Sequence, residues 1–126
     1  MARHLDLDAC LVPITGTHKL SACGQSERTV LVVSPHPDDD VIGMGGTMRL
    51  LVERGLQVFS LYVTDGGSKR LHRTITLQRR REAIASLKVI GASAAMFFDL
   101  KSSRVMKTPR RVAGRIGEIL RYLRPT

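Results

Sequence analysis

The sequence predicts an α/β domain, a Rossmann-like parallel sheet with helices on both faces, cut short after its third βα unit. Three observations carry this prediction. The apolar, β-rich runs Val30–Ser34, Gln57–Thr64 and Ala94–Phe98 alternate with longer segments of helical period. Gly55 and Gly91 stand just past the first two helical segments, where helices commonly end. Each connection is also long enough for the crossover that parallel strands require.

The elements follow in order. Residues 1–28 show no sustained period and include Pro13, Gly16 and Gly24, so they read as an irregular arm docked by Leu11, Val12 and Ile14. Residues 29–126 form the domain proper. Val30–Ser34 is a buried strand. Asp38–Asp40 then supply N-cap and first-turn carboxylates, favoured by the positive end of a helix dipole. The helix they open spans about 41–54, with Ile42, Met44, Met48, Leu51 and Val52 as its inward stripe. Gly43, Gly45 and Gly46 suit close approach of this helix to the sheet.

Gln57–Thr64 is the second strand, and Asp65-Gly66-Gly67 turns the chain at its end. A second helix covers about 75–90. Ala94–Phe98 is the third strand, followed by a basic loop. Pro109 suits a first helical turn, so a third helix runs from there to Leu123. A fourth strand should come next in such a fold, but the sequence stops at Thr126.

The bulk numbers exclude several classes. A chain of 126 residues, 43% hydrophobic, suffices for one domain with a real core. With no Trp, two Tyr and three Phe, it offers no aromatic platform for single-stranded nucleic acid. The net charge of +9 is concentrated in 69–81 and 101–124. Such a surface attracts nucleic acid, anionic lipid or phosphorylated substrate. Two Arg-rich solvated helix faces would look the same, and no base-reading motif accompanies them, so no specific nucleic-acid partner is expected.

Cys10 and Cys23 are too few for a disulfide scaffold, and a reduced cytoplasmic chain is the simpler expectation. Arg3, His4, Asp6 and Asp8 exclude an apolar leader at this end. No apolar stretch reaches the ~20 residues that span a bilayer.

The chemistry is concentrated in Ser34-Pro35-His36-Pro37-Asp38-Asp39-Asp40, at the C-terminal end of the first strand. Open α/β sheets place their ligands at this edge. Imidazole and carboxylate are ordinary zinc ligands, and His36 and Asp39 lie three apart across a turn stiffened by Pro35 and Pro37. Both can face one ion, with Asp38 pointing elsewhere as a base. A zinc site of this kind suits hydrolysis of an amide or ester. The competing reading is a helix N-cap cluster with an incidental histidine.

The run from Ser34 to Thr47 resembles the signature of the PIG-L/LmbE-like zinc-dependent de-N-acetylases. The resemblance continues through Thr64-Asp65-Gly66-Gly67, Arg79-Arg80-Arg81-Glu82-Ala83 and Val89-Ile90-Gly91-Ala92, and fades beyond Phe98-Asp99-Leu100. It implies a Zn2+ cofactor held by His36 and Asp39, with Asp38 as general base. The substrate it implies is an amino-sugar conjugate of N-acetylglucosaminyl type, losing its acetyl group. Asp40 stands where the family has Glu; with Asp65 and Arg79 it would shape the site.

The family's third zinc ligand comes from a later His-x-x-His type segment, which this sequence lacks. His4, His18 and His72 are isolated, and only His72 falls near the second strand's turn. The chain therefore resembles the N-terminal half of such an enzyme. A second chain, as in a homo-oligomer, is one way to complete the site. A catalytically inactive homologue and a basic anion-binding module are the alternatives.

Overall fold

The computed structural model describes residues 6–15, 28–67 and 73–126. The elements are α1 (Leu7–Cys10), β1 (Leu11–Pro13), β2 (Thr29–Ser34), α2 (Asp39–Glu53), β3 (Gln57–Thr64), α3 (Arg73–Ile90), β4 (Ala94–Leu100), α4 (Ser102–Val105) and α5 (Pro109–Leu123). One four-stranded sheet runs in the order β1-β4-β3-β2. The three long strands pair in parallel, as the βα alternation predicts.

The arm departs from expectation. Instead of an irregular segment it contributes α1 and then β1, which pairs antiparallel with β4 from Leu11↔Met96 to Pro13↔Ala94. The sheet is therefore mixed. Three residues are too few to show a period, and Pro13 hides the strand further, although proline is tolerated at a sheet edge. The residues expected to dock the arm do so, Leu11 on one face of the sheet and Val12 and Ile14 on the other.

Every residue of β3 is buried, so both faces of this strand must be covered. Strand alternation sorts its side chains. Val58 and Tyr62 join Val32, Ala95 and Phe97 beneath α2 and α3, around Met48, Ala83 and Leu87. Phe59, Leu61 and Val63 join Ala94, Met96 and Phe98 beneath Val112, Ile119 and Leu123 of α5. Helices thus cover both faces. The end of α5 is tied back to the start of β2, where Thr29 Oγ1 donates to the Leu123 carbonyl at 3.2 Å and Thr126 N donates to Thr29 O at 2.9 Å.

Helix α2 differs in detail. Met48 is fully buried and Leu51 and Val52 pack on the core, but Ile42 is 79% exposed and Met44 42%. Ile42 lies about 120° around the helix from Met48, outside the inward stripe. Met44 lies near the buried side and is only partly covered by the described residues. The glycines do not mediate helix–sheet contact either. A Cβ at Gly43 or Gly46 would meet nothing within 4 Å, and one at Gly45 only Val41 of the same helix.

The loop expected after the third strand holds α4, and β4 itself extends to Leu100. Gly55 and Gly91 end α2 and α3 with φ of 79° and 84°, as their positions predict. No helix among the described residues is long and apolar enough to cross a membrane.

Candidate active site at the C-terminal edge of the sheet

Strands β2, β3 and β4 run parallel, so their C-terminal ends gather at one edge. His36 and Asp39 meet there. Asp39 Oδ2 lies 3.0 Å from His36 Nδ1 and accepts the His36 backbone N–H, also at 3.0 Å. The side chains are 47% and 43% exposed, which leaves the pair open to a ligand. An imidazole nitrogen and a carboxylate oxygen on a solvent-accessible edge form a donor set suited to a divalent cation.

Asp38 occupies the N-cap of α2, but its side chain makes no capping hydrogen bond. It is exposed and uncommitted to the helix. Its backbone carbonyl instead takes the Ile42 N–H at 3.1 Å.

Asp40 turns the other way. It is 2% exposed, and its Oδ2 accepts from Ser60 Oγ at 2.8 Å and Tyr62 Oη at 2.6 Å. Its Oδ1 is buried with no hydrogen-bond partner among the described residues. Asp40 therefore bears on the site from beneath, by pinning the first turn of α2 to β3, and does not line the open edge. Burial, and next the Asp40 hydrogen bond, push the Tyr62 phenol far above its ordinary range.

The Thr64–Gly67 turn closes over the histidine loop. Thr64 donates to the Pro35 carbonyl twice, from its backbone N at 3.0 Å and from Oγ1 at 2.7 Å. Asp65 Oδ1 accepts from Gly67 N at 2.9 Å, while Asp65 N donates to Leu100 O at 2.9 Å. Gly66 has φ +66°, and a Cβ there would lie 2.8 Å from Arg79 Nη1 and 3.0 Å from Pro37 Cδ. Arg79 Nη1 donates to the Gly66 carbonyl. Asp65 and Arg79 thus hold the turn through backbone contacts, and Gly66 is the one residue type that fits between Pro37 and Arg79.

Arg80 and Asp99, which enter the sequence reading only within the resemblance segments and without a site role, meet at this edge. Between the pairs Tyr62↔Phe97 and Thr64↔Leu100, β4 carries one extra residue, a bulge. Asp99 sits in it with φ 51° and accepts from Arg80 Nη1 at 2.9 Å. The same guanidinium lies 4.2 Å from the centroid of the Phe97 ring. A carboxylate straight after the apolar run Met96–Phe98 was the available signal. His4, His18 and His72 lie outside the described residues, and these contain no group of three or more metal-type side chains.

Comparison with known proteins bears on the fold and the family. A diacetylchitobiose deacetylase of Thermococcus kodakarensis is 33% identical over 104 residues, 78% of this chain and 38% of that protein. In structure the chain resembles the N,N'-diacetylchitobiose deacetylase of Pyrococcus horikoshii, with a TM-score of 0.71 and 30% identity, covering 80% of this chain and 39% of that one. It also resembles GalB, a 4-carboxy-2-hydroxymuconate hydratase of Pseudomonas putida KT2440, with a TM-score of 0.65 and 26% identity over 78% of this chain and 44% of that one. The chain thus spans about two fifths of the length of these proteins. The family model described as "PIG-L: GlcNAc-PI de-N-acetylase" matches residues 31–126, and the chain belongs to that family.

Proposed function

We propose that this chain carries the catalytic edge of a zinc-dependent hydrolase that removes the acetyl group from an N-acetylglucosaminyl-type conjugate. The observation that carries the proposal is the 3.0 Å meeting of His36 and Asp39 on an open strand end, with the uncapped Asp38 between them in sequence. His36 and Asp39 are the residues that would hold the ion. When bound, zinc supplies Lewis-acid polarisation of an amide carbonyl and lowers the pKa of a water.

The protein's own groups have distinct tasks. Asp38, free of any capping bond, accepts a proton from the attacking water, and that proton is then available to the departing amine nitrogen. Asp40 fixes the helix turn on which Asp38 and Asp39 ride. Arg79 and Asp65 hold the Gly66–Gly67 turn against Pro37, which keeps the histidine loop from spreading. Two side chains seldom bind catalytic zinc on their own, so further ligands from outside the described residues belong to the proposal. His72 in this chain or a histidine of a second chain would serve.

The relative named as a hydratase shows that this fold alone does not select the reaction. Acetate is therefore the deciding readout. Purified protein should take up zinc and release acetate from an N-acetylglucosaminyl conjugate, and His36→Ala should abolish both. Zinc uptake unchanged by His36→Ala, or no acetate from zinc-loaded protein, would sink the proposal.

A further inference from the structure

A concavity lies where β4 hands over to α5, and its lining does not include His36 or Asp39. It has a volume of about 390 Å³. Four of its lining residues are cations: Arg104 from α4, Lys107 from the connection, and Arg111 and Arg115 from α5. Leu100 and Val112 supply an apolar wall, and among the described residues no acidic side chain lines it.

The charges are not neutralised from within. The ion pairs among the described residues are His36–Asp39, Arg49–Glu53 and Arg80–Asp99, and none involves these four cations. Like charges held in one concavity repel, so the arrangement favours an anionic occupant. The helix terminus has the same polarity. Thr108 makes no side-chain capping bond to α5 and turns its hydroxyl to the Arg104 carbonyl at 3.0 Å, and the first turn of α5 has no acidic residue. Arg115 is also held in place, its guanidinium 4.2 Å from the Phe98 ring centroid.

We infer that this pocket binds a small organic phosphate, with the phosphoryl group on Lys107, Arg111 and the neighbouring cations and the remainder against Leu100 and Val112. Phosphate chemistry fits because arginine forks match its oxygens two at a time. The pocket is several times larger than a bare oxyanion and falls in the size range of small-molecule sites. A nucleic-acid groove would be an extended stripe with stacking aromatics, whereas these cations gather around one partly open pocket. The inference is independent of the reaction proposed for the His36 edge.

Titration calorimetry on the full chain in low-salt buffer tests it, with glucose 6-phosphate, inorganic phosphate and acetate as probes. Glucose 6-phosphate should bind and acetate should not. Lys107→Gln and Arg111→Gln, both at exposed positions, should each weaken binding about tenfold. Arg110→Gln removes the same charge from the same helix without touching the pocket, and should leave affinity close to that of the unaltered chain. Inorganic phosphate binding as tightly as the sugar phosphate would support the pocket with free phosphate as its source. Three results would overturn the inference: no binding of either phosphate, an Arg110→Gln loss equal to that of Arg111→Gln, or salt-sensitive binding of a single-stranded oligonucleotide that glucose 6-phosphate does not displace.

Discussion

The Tyr62 hydroxyl donates a 2.6 Å hydrogen bond to the buried carboxylate of Asp40, joining the middle of the sheet to the helix turn that carries Asp38 and Asp39. Ser60 adds a second donor from the same face of β3 at 2.8 Å. Because Asp40 Oδ1 has no partner among the described residues, the two bonds to Oδ2 are the ones these residues supply to offset the burial of this side chain.

Tyr62→Phe should therefore cost about 1.5–3 kcal/mol, the range for a hydrogen bond to a charged group, read as a lower urea midpoint at neutral pH. The substitution also has a pH signature. Burial first, and then the Asp40 bond, raise the folded-state pKa of Tyr62, so the fold favours the neutral phenol. That contribution is fully present below the unfolded tyrosine value of about 10 and is lost as pH rises beyond it. The unaltered chain should lose more stability than Tyr62→Phe between pH 9 and pH 11. Equal losses would mean that Tyr62 does not make this contribution.

Gly66→Ala should weaken the site more than Gly67→Ala. At Gly66 the backbone is left-handed and the added carbon would press on Arg79 and Pro37, whereas at Gly67 it would come no closer than 3.2 Å, to Asp65 Oδ1. The left-handed conformation alone costs an L-residue about 1–2 kcal/mol. Denaturation midpoints rank the two variants, and Gly66→Ala should also lower zinc affinity by displacing Pro37 beside His36. Equal midpoints would show that the turn relaxes freely.

The central architecture was legible in the sequence because the long strands are mostly covered and write β-rich apolar runs, as in Val58–Val63, where Ser60 is the one small polar interruption. The His36–Asp39 meeting was legible because it needs only a three-residue span. Contacts between distant segments were not. Asp40 reads as one more acid beside the site until Ser60 and Tyr62, two apart on one strand face, are seen to be the donors below it. The Asp99 bulge depends on pairing register, and β1 on an edge that only tertiary structure provides. The inward stripe of α2 failed at Ile42 because apolar character alone does not fix a residue's angle around a helix.

Helix α2 holds glycines that its packing does not require. Gly43 and Gly46 have helical dihedrals, and an added Cβ would meet nothing within 4 Å. Alanine at either position should stabilise the chain by about 0.5–1 kcal/mol, since glycine loses the most backbone freedom on folding. Thermal melts of Gly43→Ala, Gly46→Ala and the double variant measure this, and the two gains should add. A loss of stability at either position would point to a neighbour outside the described residues that needs the space.

Asp38→Asn separates proton transfer from metal binding. The side chain makes no capping hydrogen bond, so the amide should leave the helix and its melting temperature almost unchanged. Zinc uptake should also persist, because His36 and Asp39 keep their 3.0 Å contact. Acetate release should fall by about 100-fold or more, in line with the loss of a general base. Asp39→Asn should behave differently, losing zinc and activity together because it removes a charged ligand. Full turnover by zinc-loaded Asp38→Asn would exclude Asp38 as the base and move that task to a group outside the described residues.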